Sequence, residues 1–113
     1  MKPTKTVISG IFANIRSFGI TVINMTNNVS LRKGMTGFVD IVVITDKRIY
    51  FVEIKLTETK DRFSPKQKEI AERLNDISCN NEDIFYYVIT DIQTAKDLSY
   101  SIVRHHLENR RPL

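Results

Sequence analysis

The chain has 113 residues and a formal net charge of +4, with 42% hydrophobic and 27% charged residues. This length and composition are typical of a globular protein with its own core, so we expect a single domain over residues 1–113. A single cysteine excludes an internal disulfide framework, and no apolar run approaches the roughly 18 residues of a membrane span. We therefore expect a soluble, cytoplasmic protein without a membrane partner.

The positive charge is concentrated at the two ends of the chain. Residues 1–39 contain no acidic residue and these basic ones: Lys2, Lys5, Arg16, Arg32 and Lys33. The C-terminal segment adds Arg104, Arg110 and Arg111. Such a distribution suggests an anionic partner, most commonly nucleic acid. A positive charge that only aids solubility explains it equally well.

The first predicted elements are a helix and a strand. Apolar residues recur at helical spacing over residues 4–18, namely Val7, Ile8, Ile11, Phe12, Ile15 and Phe18. Gly19 is suited to the C-cap of this helix. Residues 20–26 then predict the first strand.

A β-hairpin is predicted next. Residues 38–45 are apolar on both faces, which is typical of a strand inside a sheet. Asp46 and Lys47 predict a tight turn, so residues 48–56 return as the antiparallel partner.

The start of the second helix is marked by three signals. Ser64 is a good N-cap, Pro65 suits the first helical position and Gln67 completes a capping box. Over residues 64–77 the predicted buried stripe consists of Ile70, Ala71, Leu74 and Ile77.

The chain closes with a strand and a helix. Residues 84–90 predict the fourth strand, and residues 94–108 predict a helix with the buried positions Leu98, Ile102, Val103 and Leu107. His105 and His106 are adjacent and face different directions, so we expect a solvated helix end there and not a metal site. The order α-β-β-β-α-β-α predicts an α/β fold with a mixed central sheet flanked by helices.

Three charges interrupt the predicted hairpin. Glu53 and Lys55 point to the same side of their strand, about 6–7 Å apart, because side chains alternate along a strand. The tight turn pairs Asp40 with a residue near Glu53. We therefore expect Asp40, Glu53 and Lys55 to converge on one patch of an otherwise apolar sheet.

Such a patch suits a divalent cation. A buried lone carboxylate costs several kcal/mol, and two adjacent carboxylates also repel each other. The carboxylates of Asp40 and Glu53 with the main-chain carbonyl of Ile54 suit Mg²⁺, and Lys55 beside them could neutralise charge on a phosphate. A solvated Glu–Lys ion pair is the alternative interpretation, and spacing alone leaves the two about equal.

The same residues resemble a known family. The segment GFVDIVVI, followed by IYFVEIKLTETKDRFSPKQKEIAERL, is similar to the virus-type replication and repair nuclease domain (VRR-NUC) of the PD-(D/E)XK superfamily. The resemblance covers residues 19–75 well and the whole chain by element order. It implies a restriction-endonuclease-like αβββαβ core with an extra C-terminal helix, and hydrolysis of phosphodiester bonds in DNA.

The resemblance also implies roles for single residues. Asp40 and Glu53 would be metal ligands with the Ile54 carbonyl, Lys55 would be the catalytic lysine, and Gln67 would help to order the active site. The implied cofactor is Mg²⁺, which Mn²⁺ could replace, with no small-molecule cofactor.

The sequence departs from the family on the first helix, where many members carry a glutamate that reaches the metal. This helix has no acidic residue, so Asn14 or Ser9 is the possible substitute. The departure puts a second metal ion and catalytic turnover in question.

The implied substrate is branched DNA. A lone domain of this size resembles the stand-alone viral or phage nucleases that resolve four-way junctions in the cytoplasm of their host as homodimers. Arg32 and Lys33 in the loop LRKGMTG, together with Lys66, are the candidate phosphate contacts, although a solvated turn explains the loop equally well.

Two alternatives remain open from the sequence. One is a non-catalytic or weakly active nucleic-acid-binding module that keeps the nuclease fold. The other is a repair nuclease that cuts flaps or nicks other DNA forms. The tyrosines Tyr50, Tyr86 and Tyr87 fit core positions better than base-stacking positions.

Overall fold

Four strands and three α-helices make up the described parts of the chain, which are residues 3–25, 37–57 and 62–110 of a computed structural model. The strands are β1 (Thr21–Asn24), β2 (Ile41–Ile44), β3 (Ile49–Ile54) and β4 (Ile84–Ile89). They form one sheet in the order β1-β2-β3-β4, in which only the β3–β4 pair is parallel. The predicted mixed α/β sheet is confirmed.

The first helix, α1, is Lys5–Ala13, and it is shorter than predicted. Thr4 caps it by accepting a hydrogen bond from the Val7 amide at 3.1 Å. The chain continues as a 3₁₀ turn, Asn14–Phe18, and ends at Gly19, whose φ of 81° is the left-handed conformation predicted for a C-cap. Phe18 is 47% exposed, so the apolar stripe ends before the last predicted residue.

The hairpin between β2 and β3 follows the prediction. Ile44 pairs with Ile49, and the Thr45 amide donates to the Arg48 carbonyl oxygen at 2.9 Å across the turn. The strand β2 lies between β1 and β3 in the sheet. Its residues Ile41 and Val43 pack in the larger buried cluster on one face and Val42 packs in the smaller cluster on the other, which explains why both faces are apolar.

The second helix, α2, is Pro65–Asn80 and begins at the predicted capping box. It extends three residues beyond the predicted 64–77, and Leu74 is its buried residue. Ile77 is 43% exposed, so the predicted stripe is wrong at its last position.

The last helix, α3, is Ile92–Asn109, with Asp91 as N-cap. Its buried face includes Ala95, Leu98, Ile102 and His106, which follow one another at helical spacing. His106 is therefore 6% exposed, and its Nε2 donates to the Phe18 carbonyl oxygen at 3.1 Å. The predictions of a solvated His106 and a buried Leu107 were both wrong, because the helix phase places position 106 on the core stripe.

The core has two layers, one on each face of the sheet. Residues of α1 and α3 pack on one face in the larger cluster, which includes Ile8, Phe12, Val52, Ile54 and Ile102. The face covered by α2 has a smaller cluster built on Val39, Val42 and Leu74. No helix in the described ranges has the length and apolar character needed to cross a membrane.

Candidate active site

Two buried carboxylates lie side by side where the hairpin ends. The ladder pairs Ile41 with Val52, and the Asp40 amide donates to the Val52 carbonyl oxygen at 3.1 Å, so Asp40 lies opposite Glu53 as predicted. Asp40 is 1% exposed and Glu53 is 2% exposed. The Ile54 amide donates to Asp40 Oδ2 at 2.8 Å, and this bond orients the aspartate.

Burial and the proximity of Asp40 change the ionisation of Glu53. The pKa of Glu53 is raised from 4.5 to about 8, first because the carboxyl group is buried, and then because protonated Glu53 donates a hydrogen bond to Asp40 and the Asp40 charge repels its ionised form. The charges of Lys55 and Lys5 act in the opposite direction on this pKa. The two carboxyl groups therefore resist ionising together at neutral pH, which is the situation that a bound divalent cation relieves.

Lys55 is held beside Glu53 by a residue from α2. Its Nζ donates to Gln67 Oε1 at 3.0 Å and lies 3.9 Å from Glu53 Oε1 and 5.1 Å from the centroid of the Phe63 ring. Lys55 is only 6% exposed, so these contacts determine where its charge is presented.

Gln67 has two structural tasks at once. The side-chain Oε1 of Gln67 accepts a hydrogen bond from the main-chain N–H of Ser64 at 2.9 Å. The main-chain N–H of Gln67 donates to Ser64 Oγ at 3.2 Å, which completes the capping box. The same side chain holds Lys55, and its Nε2 donates to Glu53 Oε1 at 3.5 Å. The capping box and the contacts with the charged residues, which the sequence left as two interpretations, therefore coexist.

Lys5 is a residue of this cluster that the sequence did not predict. It lies in the first turn of α1, and its Nζ is 3.8 Å from Asp40 Oδ1. Its side chain is 36% exposed, whereas that of Asp40 is 1% exposed. The sequence shows Lys5 only as part of a basic N-terminal segment, because Lys5 comes near Asp40 only when α1 packs on the sheet.

The two proposed substitutes on the first helix differ in position. Ser9 follows Lys5 by one helical turn, is 4% exposed, and its Oγ has no hydrogen-bond partner within the described ranges. Asn14 is exposed and lines a groove with Ile92 and Lys96, on the side where α1 meets α3. Ser9 is therefore buried one helical turn from Lys5, whereas Asn14 is exposed in the groove beside α3, and both stay predictions as metal-site substitutes.

Tyr86 is a second residue whose relation to the site the sequence did not show. It lies on β4 beside Phe51 of β3, and its buried hydroxyl has no hydrogen-bond partner in the part of the chain that is described. The pKa of Tyr86 is raised to about 12 by burial, and further by the negative charges of Glu53 and Asp40. Tyr50 is buried as predicted, whereas Tyr87 is 38% exposed.

The predicted phosphate contacts are located only in part. Lys66 lies on the surface in the first turn of α2, where its Nζ donates to Glu69 Oε2 at 3.2 Å. Its side chain lies against Gly37, where an added Cβ would be 2.7 Å from Lys66 Cγ. Arg32 and Lys33 lie outside the described residues.

The cluster fits a site with two acidic ligands. In the described ranges, no group of three or more His, Cys, Asp or Glu side chains is placed to hold a metal ion. Asp40 and Glu53 would thus be the acidic ligands of one cation, with the Ile54 carbonyl as the third protein ligand that the sequence predicted. This donor set of oxygens suits Mg²⁺, which keeps several of its waters.

No protein-family model, curated protein or solved structure matches this chain. The interpretation of the site therefore rests on the geometry and chemistry of its residues.

Proposed function

We propose that this chain is a metal-dependent endonuclease that hydrolyses phosphodiester bonds in DNA, with the restriction-endonuclease-like core of the PD-(D/E)XK superfamily and a site of the VRR-NUC type. The observation that carries the proposal is the buried pair Asp40 and Glu53 beside Lys55 and Gln67. The element order, with Asp40 before β2 and Glu53 and Lys55 at the end of β3, is compatible with that core.

The cost of burying these charges supports a functional interpretation. Each buried carboxylate costs several kcal/mol unless it is paired or binds a cation, and an apolar pair at these positions would avoid the cost. The pKa of Glu53, raised to about 8, shows that the charges of Lys55 and Lys5 compensate only partly for burial and for Asp40. A patch of this kind is typical of a site where a cation and an anionic substrate complete the charge balance.

Each residue of the cluster has a role in the proposed chemistry. A bound Mg²⁺, held by Asp40 and Glu53 with the Ile54 carbonyl, would lower the pKa of a bound water and offset charge on the phosphate. Lys55, fixed by Gln67 Oε1 at 3.0 Å, would orient the water or neutralise the negative charge that develops on the phosphate. Burial strengthens this interaction because little water surrounds the ammonium group. Mn²⁺ is expected to replace Mg²⁺.

Four-way junctions are the proposed substrate, with a homodimer as the active form. A junction has two equivalent strands to cut, and a dimer with two-fold symmetry presents two identical sites to them. Lys66 at the surface of α2, with Arg32 and Lys33, would contact phosphates around the site.

The test is cleavage of end-labelled four-way junction, flap and plain duplex by the purified protein, with Mg²⁺, with Mn²⁺ and with EDTA. We expect paired symmetric cuts in the junction that EDTA abolishes. Glu53→Gln and Lys55→Ala should each lose at least about 100-fold in cleavage rate and keep most of the DNA affinity. Glu72→Gln and Lys68→Ala, on the exposed side of α2, are the matched controls. Normal cutting by the Glu53 or Lys55 variant would show that the site is wrongly assigned.

A second candidate function is a DNA-binding module without catalysis. The observation in its favour is that the side chain of α1 beside Asp40 is a lysine, with no cluster of three potential acidic or histidine ligands in the described ranges. Binding of the junction without cutting in either metal would favour this module. Cutting of the flap alone would keep the chemistry and indicate a repair nuclease.

A further inference from the structure

The cluster contains two lysines that approach the carboxylates from different layers of the fold. Lys55 comes from β3 and is held by α2, with Nζ 3.9 Å from Glu53 Oε1. Lys5 comes from α1 on the other face of the sheet, with Nζ 3.8 Å from Asp40 Oδ1. The exposure of their side chains differs, at 7% for Lys55 and 36% for Lys5. Lys5 is therefore the one of the two that solvent reaches more readily.

Asp40 presents its two oxygens to different groups. Oδ2 accepts from the Ile54 amide at 2.8 Å, whereas Oδ1 is the atom nearest Lys5. The 3.8 Å between Lys5 Nζ and Asp40 Oδ1 is longer than a charge-assisted hydrogen bond of about 2.7–2.9 Å, so these two groups interact mainly through their charges.

The charge balance of the cluster leaves room for one divalent cation. Among the residues that the structure describes, the two lysines offset the two carboxylates, so one divalent ion would bring this group to a net charge of about +2, which suits an anionic phosphodiester. A second divalent ion would lack a further acidic ligand in the described ranges, and it would be repelled by the Lys5 ammonium.

We infer that Lys5 is a substrate-binding residue, which holds a phosphate oxygen of the nucleic acid on the α1 side of Asp40 and acts there as a fixed positive charge in a site with a single metal ion. This inference rests on the proposed function and adds a residue and a metal count to it. The feature that carries it is the partly exposed Lys5 side chain, whose Nζ lies 3.8 Å from the buried Asp40 carboxylate.

Removal of the Lys5 charge should change metal affinity and DNA affinity in opposite directions. Lys5→Met removes the charge and keeps an unbranched apolar side chain. Because the ammonium repels a cation bound at Asp40, this variant should bind Mn²⁺ about threefold more tightly than the wild type. Because it has lost a phosphate contact, it should bind DNA about fivefold more weakly. If the ion pair between Lys5 and Asp40 had only a structural role, its loss would loosen Asp40, and the variant would bind both Mn²⁺ and DNA more weakly.

The metal measurement is a Mn²⁺ titration followed by electron paramagnetic resonance, without DNA. The wild type should bind one ion per chain with a saturable site, and Glu53→Gln should lose it. Two ions per wild-type chain would overturn the single-ion part of the inference. Weaker Mn²⁺ binding by Lys5→Met would overturn the substrate-binding role.

The DNA measurement is fluorescence anisotropy of a labelled junction in EDTA over a series of salt concentrations, so that no cleavage interferes. The slope of log affinity against log salt should become shallower by about one for Lys5→Met, and Lys5→Arg should restore it. Lys96→Met is the matched control, because Lys96 is exposed and lines a groove beside α1 whose lining does not include Asp40. An equal change in the control and in the Lys5 variant would overturn the inference.

The two proposals fail in different ways. If the wild type cuts DNA but Lys5→Met and Lys96→Met are indistinguishable in every assay, the nuclease function stands and the role of Lys5 is rejected. A wild type that cuts nothing in Mg²⁺ or Mn²⁺ would reject the nuclease function. The effect of Lys5 on Mn²⁺ and on the salt slope would still be measured in that case, because neither readout uses cleavage.

Discussion

The two faces of the sheet differ in what they bury. The face under α1 and α3 carries the larger apolar cluster, in which Ile8, Phe12 and Ile102 are all 0% exposed. The face under α2 has a small apolar cluster, and beside it α2 contacts the buried charges of Glu53 and Lys55 through Gln67. The layer of α1 and α3 therefore mainly supplies stability, whereas the layer of α2 positions charged groups at an energetic cost.

The largest expected effect is on the apolar face. Phe12→Ala should lower the free energy of unfolding by about 3–5 kcal/mol, because it removes a fully buried aromatic side chain and leaves a cavity. Leu74→Ala on the α2 face should cost about 2 kcal/mol, at the lower end of the range for such changes. Chemical denaturation measures both, with the exposed Phe18→Ala as control. Equal losses at Phe12 and Leu74 would contradict the division between the faces.

The second prediction concerns pH and the buried carboxylates. The folded-state pKa of Glu53, about 8, lies above the ordinary value of 4.5, so the folded protein binds the extra proton between these values. The contribution of Glu53 to stability is then fully present below pH 4.5 and is lost as pH rises to about 8, by an amount on the order of 2–4 kcal/mol.

The measurement is denaturation across this pH range in EDTA and in Mg²⁺. Glu53→Gln imitates the protonated carboxyl group, so the difference between wild type and variant isolates the contribution of this residue. Mg²⁺ should stabilise the wild type more at alkaline pH than at acidic pH, because protons compete for its ligand. A wild type and variant with parallel pH profiles would contradict the raised pKa.

The third prediction separates the two tasks of Gln67. Gln67→Ala removes half of the capping box and the contact with Lys55, so it should cost about 1 kcal/mol in stability and about tenfold or more in cleavage rate. Ser64→Ala removes the cap hydroxyl and leaves the Lys55 contact in place, so it should cost similar stability with little change in rate. Denaturation and single-turnover cleavage of both variants check the prediction. A rate loss in Ser64→Ala as large as in Gln67→Ala would mean that the cap alone matters.

The smallest expected effect is at Tyr86. Its buried hydroxyl has no partner in the described parts of the chain, so Tyr86→Phe should leave the free energy of unfolding unchanged or raise it by up to about 1 kcal/mol. Tyr50→Phe is the matched control, because its hydroxyl accepts a hydrogen bond from Arg48 at 3.3 Å. Thermal unfolding compares the two, and a clear loss of stability in Tyr86→Phe would show that its hydroxyl is satisfied.

The sequence predicted the part of the proposed site that depends on local features, namely the hairpin turn and the alternation of side chains along a strand. The tight turn at Asp46 and Lys47 sets the register of the hairpin, and this register alone brings Asp40 opposite Glu53. Alternation along β3 then places Lys55 on the side of Glu53. The convergence of these charges is therefore a property of one continuous segment, whose pattern the sequence displays.

The residues that the sequence did not assign to the site come from separate elements. Lys5 reaches Asp40 only because α1 packs across the sheet, and the charges of Glu53 and Asp40 act on Tyr86 only because β4 pairs in parallel with β3. His106 was misjudged for a related reason, since its burial depends on the phase of α3 and on the Phe18 carbonyl group that accepts its hydrogen bond. No local pattern reports such contacts.

By itself, the sequence determined the element order, the capped start of α2 and the pairing of Asp40 with Glu53, because turns, caps and alternation are local properties of the backbone. The tertiary structure decided which further groups surround these carboxylates and how strongly they interact. Burial and the approach of Asp40 raise the pKa of Glu53, and Lys5 arrives from another layer of the fold. These effects depend on distance and desolvation in space, which the order of residues along the chain does not specify.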